Sequence, residues 1–282
     1  MTINAQTRFC FLLGNPVNHS LSPALYNSAF QALNLNYSYL AAHVEEERIG
    51  AAVEGLRALS AAGANVTSPF KEAVIPFLDS VSAEAETIRS VNTIVNRRGS
   101  LFGTTTDGSG FYHFLKHSTP DYRLEQPVMI VGAGGAARAV AYTLARSGAG
   151  EMFIVNRSAA KAKDLANLIR NETDLGRCNT LPFQAGELLP ALAKCRLIVY
   201  TLPLDSEEFM AALDKSSLSF SQSFLYDLRY SPEKSEVMKR FNQSGGRSYN
   251  GLGMLLWQAV IAFEHFTGHK APVAAMQEAV KL

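Results

Sequence analysis

Two side chains in the first part of the chain could run a proton transfer together. Lys71 closes the segment "GANVTSPFKE" (Gly63–Glu72), directly after Pro69 and Phe70, and Asp107 sits in "TTTDGSG". When a carbonyl is reduced, hydride arrives at carbon and a proton must reach oxygen. A cationic lysine beside that oxygen stabilises the developing negative charge and donates the proton. Such a lysine needs an anion to orient it, and Asp107 is the candidate. Each residue also has a plainer reading: Lys71 as a solvated charge in the first turn of a helix begun at Pro69, Asp107-Gly108 as a turn pair. Ser20 and Ser22, in "GNPVNHSLSPALYN" (Gly14–Asn27), stand near a helix start. Hydroxyls and helix amides there could hold a carboxylate, although Ser22-Pro23 is also ordinary N-cap chemistry.

A hydride donor has its own signature further on. Gly132-Ala133-Gly134-Gly135-Ala136-Ala137 is a GxGxxA turn between an apolar strand, Val128 to Val131, and a helical stretch, Ala136 to Arg146. Gly132 allows the tight turn, Gly134 lets a pyrophosphate approach the backbone, and Ala137 lets helix and strand pack closely. The phosphates would rest on the helix N-terminus, where unpaired N–H groups and the dipole favour anions. The next strand ends in Val155-Asn156-Arg157-Ser158, about where an NAD site places a carboxylate on the ribose 2′-OH. No carboxylate stands there. Arg157, with Ser158 and Lys161 as further donors, suits a 2′-phosphate, so NADP is expected. The plainer alternatives are a helix N-cap for Ser158 and a solvated charge for Arg157.

These residues need an α/β scaffold, and the pattern supplies one. Apolar runs alternate with helical periods almost throughout, which predicts mainly parallel strands. Strands are expected at "FCFLLG" from Phe9, "YSYLAAHV" from Tyr37, "GANVT" from Gly63 and "SVNTIVNR" from Ser90, with helices over Pro23 to Leu33 and Glu47 to Ser60. The pattern restarts at "PVMIVGAGGAARAVAYTLARSG" and continues through "EMFIVNRS", "RLIVYTLP" and "SFLYDLRY", which reads as a second domain. A helix from Ser231-Pro232 to Phe241 is expected from the N-cap serine and first-turn proline. Two helices broken at Gly268 to Pro272 close the chain. Periodicity does not say which domain they join.

The totals narrow the partner. A chain of 282 residues predicts two domains, and 47% apolar residues, 18% charged and a net charge of +1 suggest neither disorder nor a nucleic-acid surface. A small molecule is the expected partner. The three cysteines, Cys10, Cys178 and Cys195, lack CxxC spacing, which argues against disulfides or zinc and for a reducing cytoplasm. No metal is called for by this chemistry, and no ligand cluster with metal spacing is visible. The run Phe9–Leu13 is too short for a signal core or membrane span, and Leu252–Phe263 is interrupted by Gly253 and Gln258. Membrane association is therefore not expected. A monomer and a homodimer are both compatible with the sequence.

The ordered segments "GNPVNHSLSP", "GANVTSPFKE", "SVNTIV", "GTTTDGSGF", "VGAGGAARA", "VNRSAAKA", "DLRYSP" and "NGLGMLLWQA" resemble the shikimate dehydrogenases over nearly the whole chain. The resemblance implies reversible NADPH-dependent reduction of 3-dehydroshikimate to shikimate, in chorismate and aromatic amino acid biosynthesis, in a cleft between two α/β domains. It implies a substrate domain over 1–107, a Rossmann-like NADP domain over 108–249 and C-terminal helices, 250–282, returning to the first. Lys71 and Asp107 match the family's catalytic pair. Ser20 and Ser22 would bind the substrate carboxylate, and Asn65, Thr67, Asn92, Asp107 and Gln258 its ring hydroxyls. Tyr230 falls at the tyrosine near the cleft, and Gly251, in "NGLGMLLWQA", joins Gly132, Gly134, Gly135, Ala136, Ala137, Asn156, Arg157, Ser158 and Lys161 on the cofactor. Departures are Tyr26 for a usual histidine, Ser68 for valine, Thr105 for asparagine, and "VYTLPL" (199–204) for the usual Asn-Ala-Thr or Asn-Ala-Ser loop near the nicotinamide. Quinate or aminoshikimate dehydrogenase activity is the enzymatic alternative. A silent NADP-binding regulator is the non-enzymatic one, and retention of Lys71 with Asp107 speaks against it.

Overall fold

The computed structural model describes residues 3–215 and 218–282. The chain forms two compact units, one of residues 1–111 and 255–282, the other of residues 112–254. Both divisions fall inside a helix.

The first unit is built on a six-stranded sheet. Its elements are β1 (Arg8–Gly14), α1 (Ser22–Ala32), β2 (Tyr37–His43), α2 (Ile49–Ala58), β3 (Gly63–Val66), β4 (Ser80–Val81), α3 (Ala83–Ile88), β5 (Thr93–Arg97), β6 (Ser100–Thr104) and the start of α4 (Asp107–Ser118). The strand order is β2-β1-β3-β5-β6-β4. β1 runs parallel to β2 and β3, whereas β5 is antiparallel to both β3 and β6. β4 is parallel to β6, so among the described residues the pairings are mainly parallel, as expected, with β5 the antiparallel strand. Arg97 and Ser100 pair across Arg98-Gly99, both with positive φ, and so short a link can only join antiparallel strands. β5 also starts at Thr93 rather than at Ser90. Position 63 faces Val95 and position 65 faces Thr93, which brings two polar side chains together inside the sheet.

Two apolar clusters hold this unit. One gathers Val53, Leu56, Val66, Phe70, Val74 and Ile94. The other joins Leu25, Ala29 and Phe30 of α1 to Leu256, Ala259 and Phe263 of α10 (Leu252–Thr267) and to Met276 and Val280 of α11 (Val273–Val280). The C-terminal helices thus belong to the core of the first unit.

The second unit is a doubly wound parallel sheet. Its elements are β7 (Val128–Val131), α5 (Gly135–Arg146), β8 (Met152–Val155), α6 (Ala159–Glu172), β9 (Cys178–Leu181), α7 (Ala185–Leu192), β10 (Leu197–Tyr200), α8 (Glu207–Lys215), β11 (Phe224–Asp227), α9 (Glu236–Gln243) and β12 (Arg247–Tyr249). The order β12-β11-β10-β7-β8-β9 reverses between β7 and β10, where a ligand crevice forms beyond the strand ends. β7, β8, β10 and β11 are buried along their whole length, as strands covered on both faces must be. One helix boundary differs from expectation: α9 starts at Glu236 with Ser235 as cap, not at Ser231-Pro232. The Ser235 hydroxyl donates to Asp227 Oδ2 at 2.7 Å while accepting Met238 N–H at 3.2 Å, so a tertiary partner selects the cap. Among the described residues no helix is long and apolar enough to cross a membrane.

Candidate active site

Lys71 is delivered by a turn, not by a helix. After β3 the chain folds through turns at 68–74, with Phe70 buried in the apolar cluster and Val91 N–H donating to Lys71 O at 2.8 Å. That bond ties the backbone of Lys71 to the approach to β5. Its Nζ lies 2.5 Å from Asp107 Oδ2, and the two side chains are 18% and 7% exposed. Asp107 is the first residue of α4, not part of an isolated turn. A carboxylate in a helix's first turn is favoured by the dipole and the unpaired amides.

Around this pair lies a set of buried amides. Asn92 Nδ2 donates to Asp107 Oδ1 at 2.9 Å, to Thr106 Oγ1 at 3.0 Å and to Gln258 Oε1 at 3.3 Å. Gln258 Nε2 is turned to Leu255 O at 2.9 Å, which leaves its oxygen facing Asn92. Gln258 reaches this position because α4 and α10 cross at a glycine. A Cβ on Gly110 would lie 2.5 Å from Gln258 N and 2.8 Å from its Cα, so no side chain fits there. Asn65 joins from β3 through Nδ2, donating to Asn92 O at 3.2 Å and Thr93 Oγ1 at 3.1 Å.

The loop after β1 adjoins the same strand end. Thr67 N–H donates to Leu13 O at 2.9 Å and Asn15 N–H to Ser68 O at 3.1 Å. Ser20 Oγ accepts Ser22 N–H at 3.2 Å. Ser22 is the first residue of α1, with Leu21 at the cap position, so its hydroxyl is not the cap. Thr67 is half-buried and Ser22 buried. The structure therefore gathers Lys71, Asp107, Asn92, Asn65 and Gln258 into one bonded cluster, with Thr67, Ser20 and Ser22 carried by the adjoining loops. Reading the sequence missed Thr93, Thr106 and Tyr39, which complete the cluster. Their signal was weak: threonine and tyrosine are ordinary strand residues.

In the second unit the glycine turn follows β7 and enters α5. Gly132 has φ +120°, and a Cβ there would lie 2.0 Å from Thr201 Oγ1, so only glycine is accommodated. Gly134 caps α5 and has open space around it, while Ala137 is fully buried. Gly135 and Ala136 open the helix, in the first turn, where backbone amides have no intrahelical acceptor. At the end of β8, Ser158 caps α6 by accepting Lys161 N–H at 3.4 Å, and Asn156 Nδ2 donates to Ser158 O at 3.1 Å. Arg157 and Lys161 are exposed. A cavity of about 750 Å³ extends from Asn156 and Arg157 past Phe183 to Leu202 and Asp205. Tyr230 stands half-buried in the loop after β11, and Gly251 N–H is anchored to Arg229 O at 2.8 Å.

The "VYTLPL" segment is firmly held. Thr201 Oγ1 donates to Val131 O at 2.9 Å and Tyr200 OH to Leu204 O at 2.8 Å. Arg229 Nη2 donates to Asp205 Oδ1 at 2.7 Å and Nε to Asp227 Oδ1 at 2.9 Å. Burial alone would push the Asp205 carboxyl up, but the hydrogen bond and charge of Arg229 outweigh it and hold the carboxyl below its ordinary value. This network was not foreseen from sequence.

A dinucleotide-type sheet with a glycine turn at its switch point, in one chain with a lysine–carboxylate pair, defines a pyridine-nucleotide oxidoreductase. Family comparison agrees in detail. Residues 12–94 match the shikimate dehydrogenase substrate binding domain, residues 116–185 the shikimate/quinate 5-dehydrogenase family, and residues 251–281 the shikimate 5′-dehydrogenase C-terminal domain. The shikimate dehydrogenase (NADP(+)) of Carboxydothermus hydrogenoformans is 43% identical over 100% of this chain and 99% of its own. Shikimate 5-dehydrogenase from Listeria monocytogenes, solved with shikimate and NAD, superposes with a TM-score of 0.88 at 31% identity, covering 99% of this chain and 98% of that one. Quinate dehydrogenase from Corynebacterium glutamicum, solved with NAD, gives 0.86 at 27% identity, covering 98% and 99%. The chain belongs to the shikimate dehydrogenase family.

Proposed function

We propose that the chain catalyses the reversible, NADP-dependent interconversion of 3-dehydroshikimate and shikimate, a step of chorismate and aromatic amino acid biosynthesis. The observation that carries the reading is the 2.5 Å contact of Lys71 Nζ with Asp107 Oδ2, with Asn92 donating to the other carboxylate oxygen. NADPH, when bound, supplies the hydride to the ketone carbon. Lys71 donates the proton to the ketone oxygen and takes it back in the reverse direction. Asp107 keeps the ammonium aimed and compensates its charge. The Lys71 side chain is 18% exposed, and solvent reprotonates the amine between turnovers. Ser20 and Ser22 hold the substrate carboxylate. Asn65, Thr67, Asn92 and Gln258 bind its hydroxyls.

The residues of the second unit fit the dinucleotide. The uncluttered amide face at Gly134 to Ala137 takes the pyrophosphate, with Gly132 making the turn and Gly251 contributing backbone. Arg157, Ser158 and Lys161, with Asn156 shaping their loop, take the 2′-phosphate, since the end of β8 offers cations and a hydroxyl but no carboxylate. The first unit with the returning helices is the substrate and catalytic domain, and the second is the NADP domain. The three cysteines are free and buried, which suits the reducing cytoplasm where the reading places the enzyme.

Purified protein given shikimate and NADP is expected to form NADPH. Binding of both ligands without turnover would overturn the reading. Comparing kcat/KM on shikimate, quinate and aminoshikimate separates it from the other activities of the family, because a pocket fitted to one hydroxyl pattern leaves polar groups unpaired with another.

A further inference from the structure

Thr93 begins β5, faces Asn65 across the sheet and is fully buried, beyond the reach of any ligand. Its hydroxyl oxygen accepts from Asn65 Nδ2 at 3.1 Å, and its one proton goes to Asn92 Oδ1 at 2.9 Å. The direction follows from Asn92: its Oδ1 also accepts the Thr106 backbone N–H at 2.8 Å, a group that can only donate, so the atom facing Thr93 is an oxygen and the hydroxyl must be the donor. The Asn65 amide is itself set from both sides. Tyr39 OH donates to Asn65 Oδ1 at 2.8 Å, while Asn65 Nδ2 also donates to Asn92 O at 3.2 Å. The Tyr39 ring in turn stacks on Tyr26 with centroids 4.2 Å apart and planes 3° apart.

The consequence falls on Asp107. Asn92 Oδ1 is filled by the Thr93 hydroxyl and by Thr106 N–H at 2.8 Å. The hydrogens on Asn92 Nδ2 must therefore point the other way, toward Asp107 Oδ1 at 2.9 Å and its neighbours. Turning this amide over would set its oxygen against the carboxylate and its nitrogen against Thr106 N–H.

We propose that Thr93 is a positioning residue, whose hydroxyl proton, together with the Thr106 backbone N–H, holds Asn92 as a donor to Asp107. It is the middle of a relay from Tyr39 through Asn65, Thr93 and Asn92 in which every donation runs toward the carboxylate. Bonds aligned in this way polarise one another. The proposal rests on the reading of Lys71 and Asp107 as the catalytic pair.

Two substitutions separate hydroxyl from shape. Thr93→Val keeps the volume and removes the proton; Thr93→Ser keeps the proton and removes a methyl group. The valine variant is expected to lose about 10- to 100-fold in kcat with KM for NADP within about twofold, and serine to restore kcat to within about threefold of the parent. A readout independent of turnover is the exchange with water of the Asn92 side-chain amide protons, followed by ¹⁵N NMR on the full chain. They are expected to be protected in the parent and the serine variant, and exposed to exchange in the valine variant. A valine variant with parental kcat and parental protection overturns the relay. So does a serine variant as impaired as valine, since that assigns the effect to methyl packing. Should the valine variant not fold, Tyr39→Phe cuts the far end, with kcat expected to fall about 3- to 10-fold and Asn65 amide protection to drop; parental values for both overturn the relay. Loss of Asn92 protection in the valine variant of a parent that does not turn over shikimate supports the relay and overturns only the reaction assigned above.

Discussion

Lys71 keeps 18% of its side chain exposed while its ammonium touches Asp107, so the one group that carries the transferable protons is held in place by the carboxylate. Removing it takes away both the proton and the charge that meet the ketone oxygen. Lys71→Ala is expected to lower kcat by on the order of 10³-fold or more, with KM for shikimate changed much less; steady-state kinetics in both directions reads this. Arg157 presents the opposite case, an exposed cation in the described structure. Charge-assisted bonds to a phosphate contribute about 1.5–3 kcal/mol, so Arg157→Ala is expected to raise KM for NADP about 10- to 100-fold while leaving KM for NAD nearly unchanged. Equal loss with both cofactors would remove Arg157 from the 2′-phosphate site.

Where α4 meets α10, no atom can be added at Gly110 without pushing Gln258. Gly110→Ala is expected to cost about 1–3 kcal/mol of stability by overpacking. It also moves Gln258 away from Asn92, so KM for shikimate should rise. Denaturant unfolding and kinetics on the same variant test the two effects separately. The bridge from the loop after β10 to that after β11 is electrostatic. The Asp205 carboxyl is held below its ordinary value by Arg229 against the opposing effect of burial. A lowered folded-state pKa contributes stability above the unfolded carboxylate value, about 3.9, and that contribution disappears as pH falls through the folded value. Asp205→Asn should therefore lower Tm at pH 7, and the gap between variant and parent should close as the pH is taken down into the acid range. A gap that is constant with pH would mean that packing, not charge, holds the loop.

Across the whole molecule the cysteines are buried in apolar layers. Burial pushes the Cys10 thiol up to about 12 and that of Cys178 to about 11, and raises Cys195 as well. Reaction with a thiol reagent at pH 8 is expected to leave all three untouched in the native protein and to modify all three after denaturation. Rapid labelling of the native chain would contradict that burial. Much of this organisation was legible in the residues. The all-apolar runs marked β7, β8, β10 and β11, because strands covered on both faces demand unbroken apolar runs, but not the outer strands β9 and β12, which are only partly buried. The glycine turn and the cations after β8 depend on local chemistry and could be read directly, whereas Lys71 and Asp107, 36 residues apart, could be read from their own neighbours only as candidates and were paired through the family resemblance. Other features could not. The antiparallel placement of β5, the start of α9 at Ser235, the crossing at Gly110 and the relay through Tyr39 and Thr93 each depend on partners far away in the chain, such as the 166 residues separating Asn92 from Gln258. A sequence records which groups can donate and accept. Which of them meet is decided only when packing has excluded water and a buried donor left without an acceptor becomes costly.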